Sequence, residues 1–380
     1  MMRSSMSKPK TKLIYDCPDR NADLYYASHF LAPDDVLYVE HNSKKYLLLS
    51  DLEYERGKKE ANVDRVLSLS AIREKAAKKG TANTVGLIDT FLKELKAKTI
   101  FTPRSTSFTL VDALRKLGYK IFPGEHPFYP ERTIKTLKEK KWMKDAQRVV
   151  FRAIGLAEKI LRESQIKKGQ LYWKGKILSS ERLRFELDRF LLELGFRTTD
   201  IIVAGGLQAT DPHCVGSGPL RPNQAIIVDI FPRSDKTRFY GDATRTFCKG
   251  RATPQLKKQY AAVKFAQEMA ISKIKAGING KTIHQAIQKY FQAQGYPTKE
   301  INGVKQGFIH GTGHGIGLEI HEEPVRMTAR DFYLEEGQIV TVEPGLYYRK
   351  TGGVRIEDIV TVTKKGCELF PTYPKRLEIL

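Results

Sequence analysis

Three histidines fall within twelve positions of the segment GFIHGTGHGIGLEIHEEP, although the whole chain has only 8. His310, His314 and His321 each stand beside a glycine or a glutamate rather than inside an apolar run. A histidine in such a setting can bind a metal, transfer a proton or simply lie in a glycine-rich turn. The segment alone leaves these three alternatives open, so partners elsewhere in the chain must decide.

Four acidic residues form two pairs with similar spacing. Asp229 ends the apolar run AIIV, and Asp242 returns thirteen positions later in RFYGDATRTF. Glu343 ends the run IVTV, and Glu357 returns fourteen positions later in GVRIEDIVTV. A charge at the end of a buried strand is costly unless it has a partner. Each pair therefore predicts a hairpin that carries one carboxylate on each arm.

The two hairpins belong to a faint internal repeat. Each is preceded by a long helix and a shorter one, and each helix ends at a glycine. The predicted helices run from about 138 to 167 before Gly169, from an N-cap at Ser180 to Gly195, from Thr253-Pro254 to Gly277, and over about 282–294 before Gly295. Such a repeat predicts two pseudo-symmetric halves whose hairpins face each other.

Facing hairpins would bring four carboxylates into one pocket. These groups repel one another unless cations neutralise them, and two divalent ions about 3.5–4 Å apart do so in many hydrolases. Adding one histidine gives an oxygen-rich donor set with a single nitrogen. That set suits manganese, with zinc, cobalt and ferrous iron as alternatives.

The first 120 residues alternate between strand and helix patterns and predict an α/β domain. The segment FPGEHPFYPERTIKT, rich in proline and glycine, is typical of a linker. We therefore predict an N-terminal domain over 1–135 and a second domain over 136–380. The fold class expected for the whole chain is α/β, or more broadly α+β.

Composition narrows the class of protein. The net charge of +22 is spread along the chain, whereas a nucleic-acid-binding surface is usually clustered. The 4 cysteines are scattered without a CxxC pair, which favours a reducing, cytoplasmic setting. No apolar stretch approaches the roughly 18 residues that span a bilayer. The basic N-terminus lacks the apolar core of a secretory signal and is expected to be a frayed tail.

Five of these residues together resemble a known set of metal ligands. Asp229, Asp242, His314, Glu343 and Glu357, in this order, resemble the ligands of the pita-bread metallopeptidases. That family includes methionine aminopeptidase, aminopeptidase P, prolidase and creatinase-like hydrolases. The matching strings are VDIFPR…FYGDATRTF, HGTGHGIGLEIHEEP, TVEPGLY and GVRIED. The interval between the two aspartates is two positions longer than expected for aminopeptidase P, which preserves the side-chain parity of the strands.

The resemblance implies a role for each ligand. Asp229 would bind one metal, and His314 would bind the other together with Glu343. Asp242 and Glu357 would bridge the two ions. A water activated between the paired cations would be the nucleophile.

The resemblance also implies roles beyond metal binding. Glu343 would carry a proton to the leaving nitrogen, and His321 would donate a hydrogen bond to the scissile carbonyl. His213 would line the site from the other half. Arg355 would pair with a bridging carboxylate or with the substrate C-terminus. His310, four residues before the metal histidine, is a feature of the proline-specific branch.

Taken together, the resemblance implies a pita-bread domain with a pseudo-two-fold repeat, preceded by a smaller creatinase-type α/β domain. The expected activity is hydrolysis of the bond between an N-terminal residue and proline, as in an Xaa-Pro aminopeptidase or an Xaa-Pro dipeptidase. A homodimer is implied, and neither a membrane nor a nucleic acid is expected as a partner. The alternatives are a metal-free creatinase-like C–N hydrolase and a catalytically silent module that binds protein or RNA.

Overall fold

The computed structural model describes residues 11–78 and 80–380, apart from the side chains of residues 323 and 324. The chain divides into two compact units, the first ending at Arg132 and the second spanning Thr133–Leu380. The boundary predicted at residue 135 lies three positions beyond this division. The predicted N-terminal tail, residues 1–10, lies outside the described residues.

The first unit is built around a six-stranded mixed sheet covered by helices. Its strands, in sheet order β4-β3-β2-β1-β5-β6, are β1 (Thr11–Asp16), β2 (Val36–His41), β3 (Lys44–Leu49), β4 (Arg65–Ser68), β5 (Thr99–Thr102) and β6 (Lys120–Pro123). Its helices are α1 (Ala22–Ser28), α2 (Asp51–Glu60), α3 (Leu69–Ala77), α4 (Thr84–Glu94) and α5 (Phe108–Lys116). A short 3-10 turn, Pro130–Thr133, follows in the chain.

Alternating apolar residues explain why this sheet has two buried faces. Leu13 packs in one apolar cluster and its neighbour Ile14 in another, and the same alternation holds along β2. The predicted hairpin of β2 and β3 is present. Asn42 and Ser43 turn the chain with φ values of 50° and 65°, the backbone conformation that a two-residue hairpin requires.

The second unit begins with the helices that the repeat predicts. They are α6 (Leu137–Glu163), α7 (Ser180–Glu193), α8 (Pro254–Lys273) and α9 (Gly280–Ala293), and a 3-10 turn spans Gln208–Thr210. Thr136 and Glu139 form a capping box at the start of α6. Thr253 caps α8, with Pro254 at its first position. Each of these long helices packs one apolar face against the sheet of its own half.

Short sheets, mostly antiparallel, complete each half of the second unit. The strands are β7 (Gln165–Lys167), β8 (Gln170–Trp173), β9 (Lys176–Ile177), β10 (Phe196–Arg197), β11 (Ile201–Gly205), β12 (Ile226–Ile230), β13 (Arg233–Ser234), β14 (Ala243–Lys249), β15 (Lys299–Ile301), β16 (Val304–Gln306), β17 (Gly313–Gly315), β18 (Glu322–Met327), β19 (Ile339–Val342), β20 (Gly345–Tyr348), β21 (Gly352–Arg355), β22 (Asp358–Val362), β23 (Cys367–Leu369) and β24 (Glu378–Ile379).

The predicted internal repeat is visible in the order of these strands. One sheet has the order β11-β12-β14-β24, and the other has the order β18-β17-β19-β22-β23. Three successive antiparallel strands, β11, β12 and β14, thus correspond to β17, β19 and β22. The halves are joined where β14 meets the segment after β21. There the Glu357 N–H donates to the Thr244 carbonyl at 3.1 Å.

Several predicted element ends were wrong. Helix α6 ends at Glu163 rather than before Gly169, because Lys168 and Gly169 form a hairpin turn with φ values of 48° and 72°. The N-cap of α7 is Ser179, not Ser180. Helix α8 ends at Lys273, before an extended and buried Ile274, rather than at Gly277.

The second carboxylate hairpin also differs from the prediction. Its return arm is not one strand, because β21 pairs with β20 and β22 pairs with β19. Glu357 lies in the break between β21 and β22. The break lets its side chain leave the plane of both strand pairs.

Within residues 11–78 and 80–380, no helix has both the length and the apolar character that crossing a bilayer requires.

Close backbone packing at β21 generates a stability prediction. A Cβ added to Gly353 would lie 1.7 Å from the carbonyl oxygen of Ala209, so Gly353→Ala must displace backbone. We expect the free energy of unfolding to fall by about 2 kcal/mol, measured by chemical denaturation. Gly366→Ala is the matched control, because no atom lies within 4 Å of the added carbon. Equal stability of the two variants would contradict this packing.

Candidate metal centre

The first half of the second unit supplies two aspartates. Asp229 lies in the buried strand β12, opposite Thr244 of β14, and Asp242 immediately precedes β14. Both residues are at most 8% exposed. The backbone at Asp242 is fixed from α6, since the Gln147 amide donates to the Asp242 carbonyl at 2.8 Å and accepts from its N–H at 2.9 Å.

The second half supplies two glutamates. Glu343 follows β19, and its N–H donates to the Thr312 carbonyl at 2.8 Å. Glu357 is 2% exposed, and its Oε2 accepts a hydrogen bond from the Thr244 hydroxyl at 2.8 Å. Because Thr244 belongs to β14, one half of the unit orients a carboxylate that the other half carries.

His314 presents a ring nitrogen to these carboxylates. It lies in the short buried strand β17, and its Nδ1 is 3.0 Å from the Gly315 carbonyl oxygen. A carbonyl only accepts, so Nδ1 carries the proton and Nε2 is left with a free lone pair. That Nε2 lies 3.5 Å from Glu343 Oε1 and 3.8 Å from Asp242 Oδ2. Burial, followed by the neighbouring His321, lowers the pKa of His314 to about 3, which keeps the ring neutral.

The structure brings the predicted donors together. Asp242, His314 and Glu357 each offer one ligand atom, and these atoms lie within 4.8 Å of one another. Asp229 faces the same cavity, and its buried Oδ1 has no hydrogen-bond partner among the described residues. Glu343 also lines the cavity.

The electrostatics of this cluster require positive charge. Burial, then the neighbouring Asp229 and Glu343 carboxylates, raises the pKa of Asp242 well above its usual range. Burial, then the Asp242 carboxylate, does the same for Glu357. Burial raises the pKa of Glu343 to about 7. Divalent cations would relieve this repulsion, so the donor set fits a metal centre.

Arg355 contacts a different carboxylate from the one expected. It was predicted to pair with a bridging carboxylate or with the substrate C-terminus; its Nη2 donates to Asp229 Oδ2 at 2.7 Å, and contact with the substrate stays a prediction. Asp229 is the residue for which the resemblance implies binding of one ion only. Arg355 is 3% exposed and also donates to the Tyr347 hydroxyl at 2.8 Å. Its position between these two groups leaves one oxygen of Asp229 for a ligand role.

Tyr347 joins Arg355 to His310 and was missed in the sequence. Nε2 of His310 lies 2.8 Å from the Tyr347 hydroxyl, and Nδ1 lies 2.8 Å from the Gly311 carbonyl oxygen. Burial and the Arg355 charge lower the pKa of His310 to about 3. The position of Tyr347 two residues after the TVEPG string was the available signal.

His213 and His321 complete the cavity. They are exposed, and both line a cavity of about 360 Å³ together with the five donors, His310 and Arg355. The His321 ring stands edge-on to the His314 ring, with centroids 4.4 Å apart. Arg326 also lines the cavity and was not predicted. His284 of α9 is buried, with Nδ1 3.0 Å from the Thr312 hydroxyl.

Comparison with known proteins places this geometry in a family. A model described as metallopeptidase family M24 matches residues 141–364. An uncharacterized peptidase of Bacillus subtilis is 38% identical over 181 residues, or 48% of this chain and 49% of that protein. An Xaa-Pro dipeptidase of Pyrococcus horikoshii is 27% identical over 356 residues, covering 91% of this chain and 89% of that protein. The match to the Bacillus subtilis peptidase thus spans about half of its length.

A solved structure extends the likeness to the whole fold. The Xaa-Pro dipeptidase from Bacillus anthracis superposes with a TM-score of 0.81 at 27% identity, covering 98% of this chain and 95% of that one. The predicted fold class is therefore confirmed, with a pita-bread unit preceded by a smaller α/β unit.

The raised pKa of Glu343 generates a pH prediction for the chelated protein. A carboxyl whose folded pKa is about 7, against an ordinary 4.5, binds protons more tightly in the folded state. Its stabilising effect is complete below the unfolded value and is lost as pH rises through the folded value. In calorimetry in the presence of a chelator, this carboxyl should therefore act to lower Tm between about pH 5 and about pH 7.5, whereas buried His310 and His314, with pKa values lowered to about 3, act in the opposite direction.

The matched control for this pH dependence is Glu343→Gln, which cannot titrate at that position. Its Tm should fall less steeply over the same range. Equal dependence of Tm on pH in the two proteins, or a steeper fall in the variant, would contradict the assignment.

Proposed function

The chain belongs to metallopeptidase family M24, and we propose that it hydrolyses the peptide bond between an N-terminal residue and a following proline. The observation that carries this proposal is the convergence of Asp242, His314 and Glu357 in a cavity that also contains His310. The names of the Pyrococcus horikoshii and Bacillus anthracis relatives, both Xaa-Pro dipeptidases, support the choice of bond.

We further propose two divalent ions, manganese first and zinc, cobalt or iron as alternatives. Asp229 would hold one ion, His314 and Glu343 the other, and Asp242 and Glu357 both. The pair would supply a water of lowered pKa and a positive field for the developing oxyanion. The proposed ligand role of Asp229 is supported by its Oδ1, which is buried and has no hydrogen-bond partner among the described residues.

We propose separate catalytic roles for Glu343, His321 and His213. Glu343 is the most exposed of the four carboxylates, at 19%, so it can accept a proton and pass it to the leaving proline nitrogen. His321 is exposed at the cavity wall and would donate to the scissile carbonyl oxygen. His213 lies on the wall contributed by the first half.

His310, Tyr347 and Arg355 would form the side that receives proline. They are linked by hydrogen bonds of 2.8 Å, which fix their orientation before substrate arrives. We propose that a cytoplasmic homodimer is the working form. All five donors are kept, which counts against a metal-free creatinase-like reaction and against a silent binding module.

Peptide cleavage tests the proposal directly. We expect proline-containing products from an Xaa-Pro dipeptide, an Xaa-Pro-Yaa tripeptide or both, in the presence of manganese, and none after chelation. Faster cleavage of the dipeptide would identify a dipeptidase, and faster cleavage of the tripeptide an aminopeptidase. An Xaa-Ala pair of equal length is the control for the bond. Absence of cleavage with manganese, zinc and cobalt would refute the proposal.

Two histidine variants separate metal binding from catalysis. His314→Ala should lose bound metal, measured by elemental analysis after dialysis, because a ligand is removed. His321→Ala should keep its metal and lower kcat by about 10²–10³, because a donor to the oxyanion is lost. His41→Ala, outside the second unit, should change neither quantity. Full metal and full activity in both site variants would show that the roles are wrong.

A further inference from the structure

A buried ion pair lies outside the set of metal donors, next to His321, the histidine proposed to contact the scissile carbonyl. Lys135 Nζ donates to Glu322 Oε2, and the two side chains are 2% and 3% exposed. Glu322 immediately follows His321 in the chain. Lys135 precedes α6 and lies nearly two hundred residues away in sequence. A buried pair of this kind is costly to form, so a specific role is expected of it.

Glu322 organises the loop that carries His321. Its Oε1 accepts a hydrogen bond from the Leu318 N–H at 3.3 Å, so the loop folds back on the carboxylate. The approach is close, because a Cβ added to Gly317 would lie 2.6 Å from Oε1. Glu322 is also paired with Gly315 across β17 and β18, at a bulge beside His314. The carboxylate therefore lies at the centre of the turn between the two histidines.

Lys135 is held by the frame of the second unit. Its N–H donates to the Gly337 carbonyl at 3.0 Å, and Ile134 forms a β-bridge with Gln338. Gln338 leads directly into β19, the strand that ends before Glu343. On the other side, the capping box begins α6 one residue later. The lysine thus extends from a backbone fixed at both ends.

His321 itself has an exposed side chain, so burial does not hold it in place. Its ring must nevertheless keep one position beside His314, at the centroid distance of 4.4 Å, to meet a substrate carbonyl. A displacement of about 1 Å of such a donor can cost about 10²-fold in rate.

We propose that Lys135 is a positioning residue that acts through Glu322 to hold His321 at the scissile carbonyl. The inference rests on the proposed function, because the role of His321 belongs to that proposal. A purely structural role for the ion pair is the competing explanation. The two differ in whether loss of Lys135 matters once His321 is gone.

A double-mutant cycle separates them. Lys135→Met, His321→Ala and the double variant are compared with the unmodified enzyme on an Xaa-Pro dipeptide with manganese. Lys135→Met should lower kcat about tenfold or more and change KM less than about threefold, with metal content unchanged. In the His321→Ala background the same change should alter kcat less than about twofold. Equal factors in both backgrounds, or no loss in the first, would overturn the proposal.

Two further variants serve as a replacement for Lys135→Met and as its matched control. Glu322→Gln keeps the shape of the side chain and replaces Lys135→Met in the cycle if that variant does not fold. Lys144→Met is the matched control, since Lys144 lies on α6 and forms a partly exposed pair with Glu368 of β23 at 2.5 Å. It should leave kcat unchanged in both backgrounds.

A readout without turnover distinguishes failure of this inference from failure of the proposed function. In NMR spectra of the chelated protein with ¹³C-labelled histidine, the His321 signal is the one that His321→Ala removes. Glu322→Gln should shift or broaden that signal, and Lys144→Met should not. An unmoved His321 signal would overturn the positioning role, whether or not the enzyme cleaves Xaa-Pro bonds. If the unmodified enzyme cleaves no such bond, the function fails while this test still applies.

Discussion

Mutual repulsion among four carboxylates in one cavity is the constraint around which the second unit is organised. Asp229, Asp242, Glu343 and Glu357 all line the same cavity, and burial together with neighbouring charge raises the pKa of three of them. No packing of the chain alone removes this cost. It is relieved by protonation or by cations, including Arg355 on Asp229 and the divalent ions that a metallopeptidase family implies.

A buried network of Arg245, Asp358 and Lys375 fixes the backbone that carries Glu357. Arg245 is 1% exposed and donates from Nη1 to the Glu357 carbonyl at 2.6 Å. Its Nη2 donates to Asp358 Oδ1 at 2.6 Å, and Lys375 pairs with the other oxygen of Asp358 at 3.0 Å. Paired buried charges of this kind fix geometry more than they add stability. The backbone at Glu357 is thereby held while its carboxylate faces its neighbours.

The internal repeat explains why the two halves of the second unit contribute similar parts to one site. Each half contributes helices, three antiparallel strands and two carboxylates, and hydrogen bonds cross between the halves. Thr244 from one half orients Glu357 of the other, and Arg355 of the second half holds Asp229 of the first. A dinuclear centre suits this symmetry, because each half can supply ligands on its own side and a bridge in the middle.

Local sequence patterns predicted most of the helices and the metal donors. Contacts between residues distant in sequence could not be predicted in this way. The carboxylates were predictable because apolar runs end at Asp229 and Glu343 and return after short intervals. The hydrogen-bond partners of Tyr347 and Thr244 were not predictable, because they depend on how strands separated by many residues come together. The end of α6 was missed because glycine alone was taken as the stop signal, whereas Lys168 and Gly169 form a turn between two strands. The pairing of Arg355 was missed because the broken return arm between β21 and β22 leaves no mark in the apolar pattern.

We propose that the carboxylates and His314 bind a pair of divalent ions. Isothermal titration of the chelated protein with manganese measures this most directly. We expect two bound ions per chain, with one of them lost or greatly weakened when Asp229 is replaced by asparagine. Absence of manganese binding by the unmodified protein, or two ions bound equally well after that replacement, would contradict the proposed pair of ions.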